Sequence, residues 1–150
     1  MPRLLGQLDR DALVLSLVPG RTLDGDLFRA RPRELFAQLS ALIDSLHALG
    51  VFHLDLHQRK NLLVDENGRL GVVDFGAAVV LGPAARALLG GLMTRSDRHA
   101  PYKFLARFAP EELTPEEARA VLWQRRLRRL WPFMRPGRVE YRAALKRQGR

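Results

Sequence analysis

The chain has 150 residues, a hydrophobic fraction of 47% and no cysteine. That suits one buried core and excludes structural disulfides, thiolate metal sites and thiol catalysis. No apolar run approaches the roughly 20 residues that span a bilayer as a helix, and no signal-like apolar stretch opens the chain, so a cytoplasmic protein is the expectation. The net charge of +9 arises after residue 123: residues 1–123 balance 15 basic against 15 acidic side chains, whereas residues 124–150 set 10 basic ones against Glu140 alone.

In chain order, Ala12–Val18 is an apolar run closed by Pro19-Gly20, which predicts a buried strand entering a turn. Arg31-Pro32-Arg33-Glu34 opens a helix over 32–49. Its apolar stripe is Leu35, Phe36, Leu39, Leu42, Ile43 and Leu46, and Gly50 marks its end. Val51-Phe52 predicts a short strand. Leu62–Asp65 and Leu70–Val73 flank Glu66-Asn67-Gly68 and predict a hairpin, with Asn61 at its entry and Asp74 at its exit on one side. Pro83–Met93 reads as helical, interrupted by Gly90-Gly91, and 94–110 shows no regular pattern. Thr114-Pro115-Glu116-Glu117 is a capping box. It starts a helix with Trp123, Leu127, Leu130, Trp131 and Met134 on one face, ended by Pro132 and Pro136. Trp123, Leu127, Trp131 and Phe133 are expected in the core. The last dozen residues are basic and expected to fray.

Two stretches carry chemistry. His53-Leu54-Asp55-Leu56-His57-Gln58-Arg59-Lys60-Asn61 and Asp74-Phe75-Gly76 place an acid, an amide and a second acid on consecutive loops at the ends of short apolar strands. Phosphoryl transfer from Mg-ATP needs that set: one carboxylate takes the proton of the acceptor hydroxyl, and an amide oxygen and another carboxylate hold the metal. These stretches resemble the catalytic core of the protein-kinase-like superfamily, from about residue 10 to residue 78 with a weaker echo to residue 134.

The resemblance implies an α+β fold: a mainly helical kinase C-terminal lobe with short β-hairpins, its N-terminal lobe reduced to a remnant strand and hinge. Residues 1–20 would form that remnant, 21–135 the lobe and 136–150 a basic tail. It implies Asp55 as catalytic base, and Asn61 and Asp74 as ligands of Mg²⁺, with Asn61 counted among the catalytic residues. His53 would brace the loop from behind. Leu17, Val18 and Pro19 would lie at the hinge whose backbone contacts the adenine of ATP. Five residues separate Asp55 from Asn61 where the family motif has four, so the extra residue among Gln58, Arg59 and Lys60 must bulge outward.

Leu54 stands where many regulated protein kinases carry an arginine that receives an activation-loop phosphate, and His57 where serine/threonine kinases carry lysine. Asp-Leu-His is more similar to the lipopolysaccharide-directed (Kdo and heptose) kinases, the aminoglycoside phosphotransferases and the RIO-like branch. The acceptor implied is a hydroxyl on a sugar, a lipopolysaccharide core or a protein. Arg59-Lys60 would suit an anionic acceptor as well as a solvated charge pair. Ala109-Pro110-Glu111 spells the tripeptide that closes kinase activation segments.

Residues 1–11 contain no glycine-rich phosphate loop, and no lysine precedes Lys60. An N-terminally truncated kinase is therefore the expectation, with a non-catalytic pseudokinase-like interaction protein or a site completed by a partner as the alternatives. The basic tail could meet an anionic membrane surface, such as the inner membrane face. No nucleic-acid motif accompanies it, so nucleic acid ranks last.

Overall fold

The computed structural model describes residues 1–7, 9, 13–128 and 138–148. The fold is α+β. Strands β1 (Leu4–Gln7) and β2 (Leu13–Leu15) form an antiparallel hairpin, with Leu4 opposite Leu15. Strand β3 (Arg21–Thr22) then joins β5 (Leu62–Val64) and β6 (Leu70–Val72) in a three-stranded antiparallel sheet of order β3-β5-β6. Strands β4 (Val51–Phe52) and β7 (Val79–Val80) pair separately. Five helices accompany them among the described residues: α1 (Gly25–Ala30), α2 (Pro32–Ala48), α3 (Pro83–Phe108), α4 (Pro115–Arg128) and α5 (Arg138–Arg147).

Local signals explain several of these elements. Asp24 caps α1 by accepting from the N–H groups of Asp26 and Leu27 at 3.0 and 2.8 Å. Pro32 occupies the first turn of α2, and Leu35, Leu39, Ile43 and Leu46 are buried on its inner face, each contributing about 1.5–3 kcal/mol of apolar transfer. Gly50 follows α2 with φ +76°, and its carbonyl accepts from Leu81 at 2.9 Å. A Cβ there would lie 2.7 Å from the Leu81 oxygen, so glycine is required twice over. The capping box forms as read: the Thr114 N–H donates to Glu117 at 2.8 Å, and the Glu117 N–H donates to the Thr114 hydroxyl at 3.2 Å. The Arg33 guanidinium holds the same Glu117 at 2.7 and 3.2 Å and so ties α2 to α4.

Four expectations need correction. The run at Ala12–Val18 is not a buried strand: β2 covers only Leu13–Leu15, Leu15 is exposed and Leu17 is 90% exposed. The helix from Pro83 does not break at Gly90-Gly91 but continues through Pro101 to Phe108. Ala109-Pro110-Glu111 follows that helix, and Ala77–Gly82 separate Gly76 from α3. Trp123 is 57% exposed rather than core, since the inner face of α4 is filled by Ala118 and Val121. The C-terminal residues are helical over α5, where the Arg147 side chain donates to the Leu113 carbonyl at 2.7 Å. Leu130, Trp131, Pro132, Phe133, Met134 and Pro136 lie outside the described residues, as does the side chain of Leu127.

What holds α3 despite its glycines and proline is a tertiary contact. Asp97, 1% exposed, projects from α3 into the loop after β4. One carboxylate oxygen accepts from the His53 N–H at 2.8 Å and meets His47 Nε2 on α2 at 3.0 Å, while the other accepts from the Leu54 N–H at 2.7 Å. Leu54 has φ +63°, a left-handed conformation that costs a side-chain-bearing residue about 1–3 kcal/mol unless its surroundings impose it.

Two outcomes are expected. Asp97→Ala strands two buried N–H donors at about 1–3 kcal/mol each, so chemical denaturation should show a loss of about 3 kcal/mol or more. Asp44→Ala, which removes only an exposed pair with Arg98, should cost under about 0.5 kcal/mol. Asp24 gives a pH signature. Its carboxyl is held below the ordinary 3.8, first by the Leu27 N–H, so its stabilisation is full above that value and vanishes as pH falls through the lower folded pKa. The Tm deficit of Asp24→Ala should therefore shrink as pH drops below 3.8 in a thermal titration.

Candidate active site

The loop after β4 and the turn after β6 meet where the hairpin ladder ends. Leu62 pairs with Val72, and the Val73 N–H donates to the Asn61 carbonyl at 2.9 Å. That bond sets Asn61 beside Val73, one residue before Asp74, although twelve residues separate Asn61 and Asp74 in the chain.

Asn61 is fully buried. Its side-chain nitrogen donates to the Asp55 carbonyl and to an Asp55 carboxylate oxygen, both at 3.0 Å. Two acceptors on that side fix the amide orientation, since only the NH₂ end can donate. The amide oxygen is turned away, buried and without a hydrogen-bond partner among the described residues. A buried carbonyl oxygen in that state costs free energy until something electropositive meets it.

The extra residue between Asp55 and Asn61 is absorbed by a turn of 3₁₀ helix at Arg59–Asn61. Arg59 and Lys60 point outward and are exposed, while Asn61 returns beneath the loop. Asp55 is gripped from the same turn: Gln58 donates its amide to both carboxylate oxygens at 2.9 and 2.6 Å, and His57 Nε2 lies 3.4 Å away. The carboxylate is thus aimed and partly solvated, as a proton acceptor must be.

Asp74 also adopts a left-handed conformation, with φ +62° and ψ +69°, at the start of the 3₁₀ turn Phe75–Ala77. Its carboxylate is half exposed and pairs with Lys60 at 3.5 Å. His53 supports this turn from inside: its Nε2–H donates to the Val73 carbonyl at 3.1 Å, and its ring packs on Phe75 with centroids 4.8 Å apart. Every polar contact of His53 is structural.

The set Asp55, Asn61 and Asp74 is therefore joined through one loop, one ladder bond and the Lys60 bridge. Leu17, Val18 and Pro19 lie on the irregular segment between β2 and β3, where Leu17 and Pro19 are exposed. Val18 approaches Gly71 on β6 so closely that a Cβ on Gly71 would meet its methyl at 2.8 Å. Sequence reasoning missed Asp97, which read only as one polar residue in an unpatterned stretch. Its one available signal was a lone acid four residues before a proline, which is weak.

The oxygens of Asn61 and Asp74 suit a hard divalent cation such as Mg²⁺, which takes carboxylate and carbonyl ligands. The orphaned Asn61 oxygen is the observation that fits it.

No protein-family model matches the chain. Over part of its length it is similar to protein kinases. It is 52% identical over 58 residues to CBL-interacting protein kinase 12 of Oryza sativa subsp. japonica, covering 39% of this chain and 11% of that protein. It is 40% identical over 74 residues to CBL-interacting serine/threonine-protein kinase 16 of Arabidopsis thaliana, covering 49% of the chain and 15% of the relative. It is 39% identical over 75 residues to serine/threonine-protein kinase PKH3 of Eremothecium gossypii, covering 46% and 10%. The matched part thus spans 10–15% of these curated relatives. Together, these similarities support a relationship to the protein-kinase-like superfamily.

Proposed function

We propose that the chain carries the catalytic half of an ATP-dependent phosphotransferase, with Asp55 as base and Asn61 and Asp74 as the ligands of Mg²⁺. The observation that carries this reading is the buried Asn61 amide: its nitrogen is spent on Asp55, and its oxygen is left for a cation. Similarity to protein kinases supports the same chemistry.

In the transfer, Asp55 takes the proton of an acceptor hydroxyl. The resulting oxygen forms a bond to the γ-phosphorus of ATP as the bond to the β-γ bridging oxygen breaks, and ADP leaves with that electron pair. Gln58 holds Asp55 in one rotamer, so the proton acceptor is positioned before substrate arrives. A bound Mg²⁺ would neutralise charge on the phosphates. Leu17, Val18 and Pro19 are the proposed adenine contacts.

For the acceptor we favour a sugar or lipopolysaccharide hydroxyl over a protein hydroxyl, in the manner of the lipopolysaccharide-kinase and RIO-like branch. Support comes from Leu54 and His57 in the loop and from the six-residue link between Gly76 and α3, too short for a long regulatory segment. The kinase relatives pull toward a protein hydroxyl, and an acceptor screen separates the two. A second reading, a non-catalytic interaction protein, is favoured by the exposed Leu4, Leu5, Leu15 and Leu17.

With Mg-ATP and an accepted hydroxyl compound, Asp55→Ala should lower turnover by about 10²–10⁴. Asp74→Ala should abolish the Mg-ATP-dependent rise in Tm that wild type shows. Near-wild-type turnover in Asp55→Ala would sink the base assignment. A wild type whose Tm ignores Mg-ATP would favour the interaction-protein reading.

A further inference from the structure

A groove of about 580 Å³ opens beside Gln58, the residue that holds Asp55. The catalytic loop forms one wall through Arg59 and Lys60, and α3 forms the other through Lys103 and Arg107. Its lining carries Arg59, Lys60, Lys103 and Arg107 with one acid, Asp24, whose carboxylate accepts from the N–H groups that open α1 and feels the charge of Arg59.

Three of these cations lie against two aromatic rings. The guanidinium carbons of Arg59 and Arg107 lie 5.9 and 5.6 Å from the centre of the same Phe108 ring. Lys103 lies 6.0 Å from Phe104, whose ring is parallel to Phe108 with centroids 6.2 Å apart. A cation over a ring gains about 0.5–1 kcal/mol at an exposed site, and Arg and Lys held on the walls of one groove are both suited to phosphate or carboxylate oxygens.

The groove also shares its wall with the reacting groups. Gln58, which lines it, holds Asp55, and Lys60 reaches Asp74 at 3.5 Å. Lys103 donates to the His57 carbonyl at 2.9 Å and ties the far wall to the same loop. A molecule seated there lies against Gln58, which holds the proposed proton acceptor.

We propose that this groove seats the acceptor, and that the acceptor is anionic: a molecule whose reacting hydroxyl lies near a phosphate or carboxylate group held by Arg59, Lys103 and Arg107. The inference rests on the phosphotransferase reading, for which it names the substrate class.

Inorganic phosphate is the probe. The ¹⁵N-labelled 150-residue chain is titrated with it at ionic strength held constant by chloride, and amide shifts are followed. Saturable shifts are expected at Thr22–Asp24, His57–Lys60 and Lys103–Arg107. Arg107→Gln and Lys103→Gln should each weaken binding about fivefold, the scale of one partly exposed charge contact. Lys103→Gln keeps a donor for the His57 carbonyl, and the spectra report directly whether each variant folds. Shifts that do not saturate, that chloride reproduces, that centre on Asn61 and Asp74, or that survive both substitutions would overturn the proposal. Asp74→Ala separates the two readings. Phosphate should still bind the groove of that variant when Mg-ATP no longer binds, so failure of the nucleotide reading and failure of the groove are seen independently.

Discussion

The Asp97 carboxylate is the constraint on which the site depends. A carboxylate removed from water is tolerated only when its oxygens are met by donors, and Asp97 finds its donors in the backbone of the loop after β4 and the imidazole of His47. In satisfying itself it fixes His53 and forces Leu54 into a left-handed turn that its side chain would not choose. The effect then passes onward. His53, locked at its backbone, uses its ring to hold Val73 and Phe75 on either side of Asp74. One buried charge on α3 therefore sets the loop bearing Asp55 and, through a single imidazole, the turn bearing Asp74.

Asn61 joins these two loops by a second route, at the end of the β5-β6 ladder. The two routes differ in character. The ladder is local, built from residues close in sequence around the Glu66-Asn67-Gly68 turn, whereas the Asp97 contact bridges more than forty positions. The N-terminal segment looks different: the β1-β2 hairpin and the residues after it leave Leu4, Leu5, Leu15 and Leu17 exposed, an apolar surface of the kind that can mark an interaction site.

Legibility in the sequence follows the same division. Helix α2, the β5-β6 hairpin and the Thr114–Glu117 capping box were readable because each is specified by neighbours within a few residues, through apolar period, turn residues or reciprocal hydrogen bonds. Helix α3 was not, since Gly90, Gly91 and Pro101 all disfavour a helix locally, and burial of Asp97, Ala100, Phe104 and Leu105 overrides them. Among the site residues, the stretch around Asp55, Asn61 and Asp74 was visible as chemistry. The strain at Leu54 and Asp74 was not, because positive φ in a residue with a side chain has no composition signature.

The extra residue between Asp55 and Asn61 draws these threads together. An added residue must either shift Asn61 off the ladder or be expelled, and the ladder bond from Val73 decides for expulsion. The loop closes as a 3₁₀ turn, with Arg59 and Lys60 thrust outward. Expulsion does not scatter these cations into solvent. Arg59 comes to rest over Phe108 and Lys60 against Asp74, so Lys60 stands both on the groove wall and against the Asp74 carboxylate. A loop one residue shorter would keep Asp55 and Asn61 together, yet it would not need to present either cation. The insertion therefore shapes the groove wall while leaving the contact between Asn61 and Asp55 in place.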